Sequence, residues 1–229
     1  MNVSVTHLTN DNTGGSTSFT TASITPPSNQ LVIVTVAQNL AGGDGSPVPT
    51  PSVSGCNMTW QLIGTRLNST DDQQRISIFR GMAANPTTGA LTIQTTFSST
   101  SCFWSVDSFR PTAKNGSNGS GAVVQYGTAS ADTTDPLNMT ISLSTFGNSK
   151  NATFAAVISP DTASTPSGFT KIVSASQDLG PDNKFGVYFK TSPATSMNFT
   201  ATGSGAGVST GIAAEIKFKK PGGAFISLI

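Results

Sequence analysis

The chain has 229 residues, of which 10% are charged, and its formal net charge is +1. This length suits one large β domain or two domains of roughly 110 residues each. The near-zero charge offers no basic surface for nucleic acid or an anionic membrane. No apolar run reaches the length of a membrane span, and the first ten residues lack the basic and apolar regions of a signal peptide. We therefore expect neither nucleic acid nor a membrane as partner.

The composition indicates many short strands joined by turns. Ser and Thr make up more than a quarter of the residues, and there are 23 Gly and 13 Pro. Thr favours extended backbone because its branched side chain packs well on a pleated surface. Strong helix formers are scarce, and Glu215 is the single glutamate. The composition therefore predicts an all-β protein.

The first strands are predicted at Asn2–His7, Thr17–Ile24 and Gln30–Gln38. The third is nearly continuously apolar, which predicts burial on both faces at the centre of a sheet. Asn39–Ser54 is rich in Gly and Pro and is expected to be an exposed loop.

The stretch from Thr59 to Phe109 has a pattern that recurs in the second half of the chain. It runs TWQLIG, an Asp-bearing loop, ISIFR, a Pro-containing turn, ALTIQTTF and CFWSVDSF. The later counterpart runs FTKIVS, an Asp-bearing loop, GVYFK, a Pro turn, MNFTAT and GIAAEIKF, and NATFAAVIS matches QLVIVTVAQ before it. The shared order indicates a duplicated unit.

The pattern predicts two tandem antiparallel β-sandwich domains, Ig-like or jelly-roll-like, with about seven strands each. Residues 1–112 would form the first domain and residues 122–220 the second. Residues 113–121, rich in Gly, Ser and Asn, would be a linker, and residues 221–229 an apolar tail. One larger jelly roll that draws strands from both halves is the alternative architecture.

The last residues are apolar and follow a Lys-Lys-Pro-Gly-Gly sequence. Exposed apolar residues invite association, so this segment is expected to dock and not to remain free. The target is either its own domain or a neighbouring subunit, the latter by strand addition. The residues predicted to form this assembly tail are Phe225, Ile226, Leu228 and Ile229.

Residues for common catalytic and metal centres are few. His7 is the only histidine, which excludes a cluster of histidine ligands, and there is no Cys-x-x-Cys motif. A Ser-His-Asp triad would have to use His7, near one end of the chain, and we expect no nucleophile elbow to accompany it. The sequence therefore predicts a surface histidine, no catalytic residue and no cofactor.

Asp107 is the most unusual carboxylate in the sequence. Strand alternation in CFWSVDSF places it on one face with Phe103 and Phe109, and Trp104 and Val106 on the other. One hypothesis is that Asp107 is half of a pair of catalytic carboxylates, as in glycoside hydrolases. The favoured hypothesis is that it accepts hydrogen bonds from loop amides at the sheet edge.

Two Asp-bearing loops occupy equivalent places in the two halves. They contain Asp71 and Asp72 in the first half and Asp178 and Asp182 in the second. Oxygen-rich loops of this kind are typical of calcium sites, but Asp is also a preferred turn residue. Calcium is therefore a weak prediction.

The two cysteines, Cys56 and Cys102, both lie in the first half. A disulfide between them would constrain the unfolded chain. Reduced cysteine is equally a common small core residue. The sequence leaves both alternatives open.

Four aromatic residues could serve either as a sugar-stacking platform or as core residues. Core packing is the favoured interpretation because they alternate with apolar positions. The platform would support a secreted or extracellular carbohydrate-binding or adhesive β-sandwich module, with a glycan as partner. These residues are Trp60, Trp104, Tyr126 and Tyr188.

An ordered set of motifs resembles a group of uncharacterised β-rich proteins of tailed phages and bacterial genomes. The set comprises PPSNQLVIVTVAQ, MTWQLIG, ISIFRGMAANPTTGALTI, FWSVDSFR, NGSNGSGAVVQ and GIAAEIKF. The resemblance implies an accessory virion protein, such as a capsid decoration or surface component, and transfers no catalytic residue. We accordingly expect a place on the virion surface, with other proteins of a capsid or tail lattice as partners. The absence of a signal peptide fits assembly in the host cytoplasm, and the apolar tail fits association with further copies of the chain.

Overall fold

The computed structural model describes residues 2–40, 47–68, 73–99, 101–133, 138–160, 162–177, 183–200 and 207–219. Within these ranges the regular secondary structure is almost entirely β-strand, and every paired strand is antiparallel to its neighbour. The prediction of an all-β, sandwich-like fold is confirmed.

The first half of the chain contributes eight described strands. The central one, β3, is buried at all nine positions, which confirms the prediction from its continuous apolar run. The strands are β1 (Ser4–Thr13), β2 (Ser16–Thr20), β3 (Leu31–Asn39), β4 (Ser52–Gly55), β5 (Gln61–Leu67), β6 (Gln74–Gly81), β7 (Leu91–Ser99) and β8 (Ser101–Arg110).

The second half contributes seven described strands after a short 3₁₀ helix at Ser117–Ala122. β11 is its central strand, and all eight of its residues are buried. The strands are β9 (Val123–Thr133), β10 (Asn138–Ser142), β11 (Ala152–Ser159), β12 (Thr170–Gln177), β13 (Asn183–Lys190), β14 (Ser196–Thr200) and β15 (Gly207–Ile216).

The two halves have the same connectivity. One five-stranded sheet has the order β1-β8-β3-β6-β5, and the other has the order β9-β15-β11-β13-β12. A bulge interrupts β5 against β6 at Ile63 and interrupts β12 against β13 at the corresponding Ile172. Strand order and bulge position thus agree, as expected for two copies of one unit.

Each half also has a smaller outer sheet, and here the halves differ. The first half has β2-β7-β4, whereas the described residues of the second half form β10-β14. In place of β4, Ser164 hydrogen-bonds to Thr200 of β14 through its backbone amide, and Ala163 and Pro166 are buried beside it. In the first half, β4 begins at Ser52, inside the segment Asn39–Ser54 that was predicted to be a loop. The sequence pattern did not indicate this strand.

Four sheets stack as layers, with the two five-stranded sheets face to face in the middle. The central core draws Ile33 and Phe103 from the first half and Phe154 and Phe185 from the second. Separate cores lie between each five-stranded sheet and its own outer sheet. No described strand of one half pairs with a strand of the other, so side chains form most of the contact between the halves.

The segment predicted as a linker is folded against the body of the protein. Gly119 is buried, and a Cβ at this position would lie 3.1 Å from Leu31 Cδ1. Its positive φ of 77° is a conformation that glycine adopts readily. The division into domains at residues 113–121 stays a prediction.

Candidate functional site

Pairing of β1 with β8 brings His7 and Asp107 together. The two residues are 100 positions apart in the sequence and lie opposite each other in the strand register. A bulge follows directly, where Leu8 is the extra residue between His7 and Thr9. β1 is an edge strand, so His7 can be partly exposed while Asp107, on the neighbouring strand, is fully buried.

The Asp107 carboxylate is held by two side-chain donors. Its Oδ1 lies 2.8 Å from His7 Nδ1, and its Oδ2 accepts a 2.6 Å hydrogen bond from the Ser105 hydroxyl. His7 Nε2 lies 2.8 Å from Asn10 Oδ1. The favoured prediction, that loop amides hold Asp107, was wrong: the donors come from the same strand and from the adjacent edge strand.

The environment favours a charged imidazole at His7. The hydrogen bond to Asp107 raises the pKa of His7 above 6.5, and the negative charge of Asp107 and the contact with Asn10 add to it, while burial opposes the shift. A raised pKa in the folded state stabilises the fold fully below pH 6.5. This contribution is lost as the pH rises through the folded-state pKa.

The cluster contains the residue types of a Ser-His-Asp triad in a different arrangement. In a triad the serine hydroxyl contacts the histidine nitrogen that faces away from the aspartate. Here the Ser105 hydroxyl donates its hydrogen bond to Asp107. The His7 nitrogen that faces away from Asp107, Nε2, contacts Asn10 Oδ1 instead of a serine hydroxyl. The geometry holds a charged pair in place, and among the described residues no hydroxyl contacts the imidazole.

The expectation that the chain has no nucleophile-elbow motif was wrong at the level of sequence, because residues 207–211 read G-x-S-x-G. In a nucleophile elbow the serine stands exposed at a turn between a strand and a helix. Ser209 instead lies inside β15 and is fully buried. The G-x-S-x-G sequence is therefore part of a buried strand and does not form a nucleophile elbow.

Glu215 is a second buried carboxylate, and no sequence pattern indicated it as a site residue. It accepts hydrogen bonds from Gln125 Nε2 at 2.6 Å and from Asn151 Nδ2 at 2.5 Å. Asn151 Oδ1 in turn accepts a 3.0 Å hydrogen bond from the backbone amide of Phe218. The network joins the ends of β9, β11 and β15. Its only sequence signal was that the chain contains a single glutamate.

The weak calcium candidates Asp71, Asp72, Asp178 and Asp182 lie outside the described residues, as do the tail residues Phe225, Ile226, Leu228 and Ile229. In the part of the chain that the structure describes, no group of three or more His, Cys, Asp or Glu side chains is arranged to hold a metal ion. Calcium binding and tail docking stay predictions.

Cys56 and Cys102 are free thiols, and both are buried. Cys56 lies in the turn after β4, where its Sγ contacts the carbonyl oxygen of Gly89. Cys102 lies near the start of β8 in the five-stranded sheet. Burial raises the pKa of both thiols, which keeps them protonated and unreactive.

The four candidate platform aromatics are distributed over different parts of the molecule. Trp104 and Tyr188 are buried in the separate cores of the two halves. Trp60 is half-buried and donates its indole N–H to the carbonyl oxygen of Gly55. Tyr126 is 52% exposed on β9. These positions do not form one shared sugar-binding surface.

The outer surface of β12 and β13 has a pit of about 10 Å³ beside Tyr188. This volume holds at most one water molecule. Lys171 Nζ lies 5.5 Å from the centre of the Tyr188 ring, and burial lowers the pKa of this lysine and raises the pKa of Tyr188 to about 12. A wider depression of about 410 Å³ is lined by Asn2, Ser4, Arg110 and Pro111.

Comparisons with known proteins found no relative. No family model, no curated protein and no solved structure matches this chain. Within the described ranges, no helix has the length and apolar character required to span a membrane.

We expect Asp107→Asn to lower the free energy of unfolding by about 1–3 kcal/mol at pH 5, because a buried, charge-assisted hydrogen bond is lost. The difference from wild type should be smaller at pH 9 than at pH 5, because the imidazole loses its proton as the pH rises through the pKa of His7. Urea unfolding at the two pH values measures this difference in stability. NMR titration of the Asp107→Asn variant should show a His7 pKa lower than in the wild type and closer to 6.5. Asp11→Asn, at an exposed position on β1, the strand of His7, is the control. An equal loss at both pH values would contradict the assignment.

Proposed function

We propose that this protein is a structural component of a virion, as a capsid decoration or as a shell or surface protein of a phage or virus. The observation that carries the proposal is the shared central core, which joins two halves of equal connectivity into one block. Such a block leaves two outer sheets facing away from each other, and these are suitable surfaces for contacts with neighbouring proteins.

The composition of the surface supports the same role. Only 10% of the residues are charged, and hydroxyl-bearing residues are abundant. In the described ranges the single salt bridge is the His7–Asp107 pair, whose carboxylate is buried. Contacts made by such a surface depend little on ionic strength, because salt acts mainly on exposed charges. This property suits a particle exposed to varying external conditions.

The experiment is immunogold electron microscopy of particles purified by density gradient from lysates of the source host, with antibody against the recombinant protein. We expect the protein to sediment with the particles and the gold label to lie on their outer shell. Particles incubated with pre-immune antibody are the control. Protein that stays at the top of the gradient, with unlabelled particles below, would refute the proposal.

A further inference from the structure

One end of the double sandwich has five exposed basic side chains, here called the basic cluster. They surround Phe218, whose side chain is buried in the central core. In the described ranges none of the five forms an ion pair, because the single salt bridge there joins His7 to Asp107. The five members are Arg110, Lys114, Lys150, Lys217 and Lys219.

Contacts of Phe218 bring the five residues together. Lys217 and Lys219 are its neighbours in the chain, and Lys150 Nζ lies 5.6 Å from the centre of its ring. Phe218 also pairs with Thr112, and the other two members of the cluster lie two residues before and two residues after Thr112. Paired strands are about 5 Å apart and extended residues are spaced at about 3.3 Å, so these two backbone positions lie within about 12 Å of Phe218.

The acidic residues of the described ranges do not neutralise the basic cluster. Glu215 lies two residues before Lys217, but it is 1% exposed and accepts hydrogen bonds from two side-chain amides. Asp107 is fully buried. Asp11 and Asp132 lie at least about 20 Å along β1 and β9 from the ends of these strands that adjoin the cluster. The net charge of +1, from which we expected no basic surface, averages over the whole chain and conceals this cluster.

Apolar residues adjoin the basic cluster. Val124 is 52% exposed and lies two residues after Ala122, whose carbonyl oxygen accepts a 2.8 Å hydrogen bond from the backbone amide of Lys217. In the sequence, the apolar segment Phe225–Ile229 begins six residues after Lys219, and it lies outside the described residues. Proteins that bind reversibly to anionic membranes combine these two features, because apolar insertion and electrostatic attraction are each weak alone.

Nucleic acid is the other common partner of a basic surface, and it suits this end of the molecule less well. Proteins that bind single strands stack the bases on exposed aromatic rings. At the centre of the basic cluster the Phe218 side chain is only 8% exposed, and Lys150 lies over its ring. A lipid surface requires only positive charge and apolar side chains.

We propose that the basic cluster binds the surface of a membrane that contains anionic lipids. Lipid phosphate groups are the ligands of the five basic side chains, and Phe225–Ile229 enters the apolar layer below the headgroups. The cluster lies where β8 and β15 end and β11 begins, so an end of the sandwich, and not a sheet face, meets the bilayer. The outer sheets stay free for neighbouring proteins, so membrane binding is compatible with the proposed virion role and does not require it.

Cosedimentation of the full chain with lipid vesicles tests the proposal. We expect binding to vesicles of phosphatidylcholine mixed with phosphatidylglycerol and little binding to pure phosphatidylcholine. In the variant Lys217→Gln/Lys219→Gln, binding should be about 25-fold weaker, because each basic residue near an anionic bilayer strengthens binding about fivefold. The matched control is Lys171→Gln/Lys184→Gln, which has the same net charge but alters two lysines on the outer surface of β12 and β13. We expect the control to bind within about twofold of the wild type, because attraction to the bilayer falls off within a Debye length.

Deletion of residues 224–229 and a DNA duplex provide a second measurement, which separates a membrane from nucleic acid as partner. The deletion should weaken vesicle binding several-fold, because the apolar contribution is lost. Raising the ionic strength to about 1 M, where the Debye length is about 3 Å, should remove the preference for anionic vesicles. Equal binding to the two lipid compositions, equal losses in the two double variants, vesicle binding unchanged by the deletion, or tighter binding to the DNA duplex than to vesicles would each overturn the proposal.

Discussion

Replacing Phe109 by Ala is expected to lower the free energy of unfolding by about 3–5 kcal/mol, the usual cost of removing a fully buried aromatic ring. Phe109 is on β8 in the first half. Its ring lies 5.6 Å from that of Phe154 in an edge-to-face arrangement and 5.8 Å from that of Phe189, both in the second half. The loss is therefore shared by the two halves.

Because the cavity would open in the shared core, we expect one cooperative unfolding transition that shifts as a whole. Calorimetry, together with guanidinium unfolding monitored by two probes, measures the number of transitions and the shift of each. Phe97→Ala is the matched control: its ring is 41% exposed, and its loss should cost less than about 1 kcal/mol. Two separate transitions, of which Phe109→Ala shifts only one, would show that the halves fold independently.

Replacing Asn151 by Ala is expected to cost about 3 kcal/mol, because Glu215 Oε1 and the backbone amide of Phe218 would both lose their hydrogen bond to the Asn151 side chain. The Glu215 carboxylate, 1% exposed, would keep only Gln125 as a side-chain donor. The backbone amide of Phe218 would lose its acceptor. The large effect thus comes from the buried groups that remain, more than from the missing amide itself.

A double-mutant cycle separates these contributions. If the buried charge dominates, Glu215→Gln should recover at least about 1 kcal/mol of the loss when it is combined with Asn151→Ala. Asn85→Ala, at an exposed position, is the control and should be nearly neutral. Strictly additive effects of the two substitutions would contradict the coupling, and urea unfolding at neutral pH measures each variant.

The sequence predicted the residues of the His7–Asp107 cluster only in part. His7 stood out as the single histidine, and Asp107 stood out because it lies between two phenylalanines on one strand face. Their contact depends on the pairing of β1 with β8 and on the residue register, which alternation within one strand does not reveal. Ser105 and Asn10 had no distinguishing pattern, since serine and asparagine are common throughout the chain.

Glu215 shows a similar limit. Its strand was predicted correctly, but its partners Gln125 and Asn151 come from the start of β9 and the residue before β11. Hydrogen bonds between side chains distant in sequence leave no periodic signal. Such networks become visible only when the strands are placed in one sheet.

The amino-acid sequence by itself determined that the chain forms strands and which residues of each strand share a face. A period of two follows from the geometry of a single extended chain. It also determined that β3 and its counterpart β11 are central, because both faces of these strands are apolar. These features are local, and local sequence is sufficient to specify them.

Only the tertiary structure decided that the two five-stranded sheets cover each other and that Phe109 packs on Phe154 and Phe189. Apolar burial has no preferred direction, so an apolar face does not specify which other face will cover it. The segment at Ser117–Ala122 illustrates the same point: its composition is typical of a linker, yet Gly119 and Ala122 are buried. Long-range packing, which sequence periodicity does not encode, holds this segment in place.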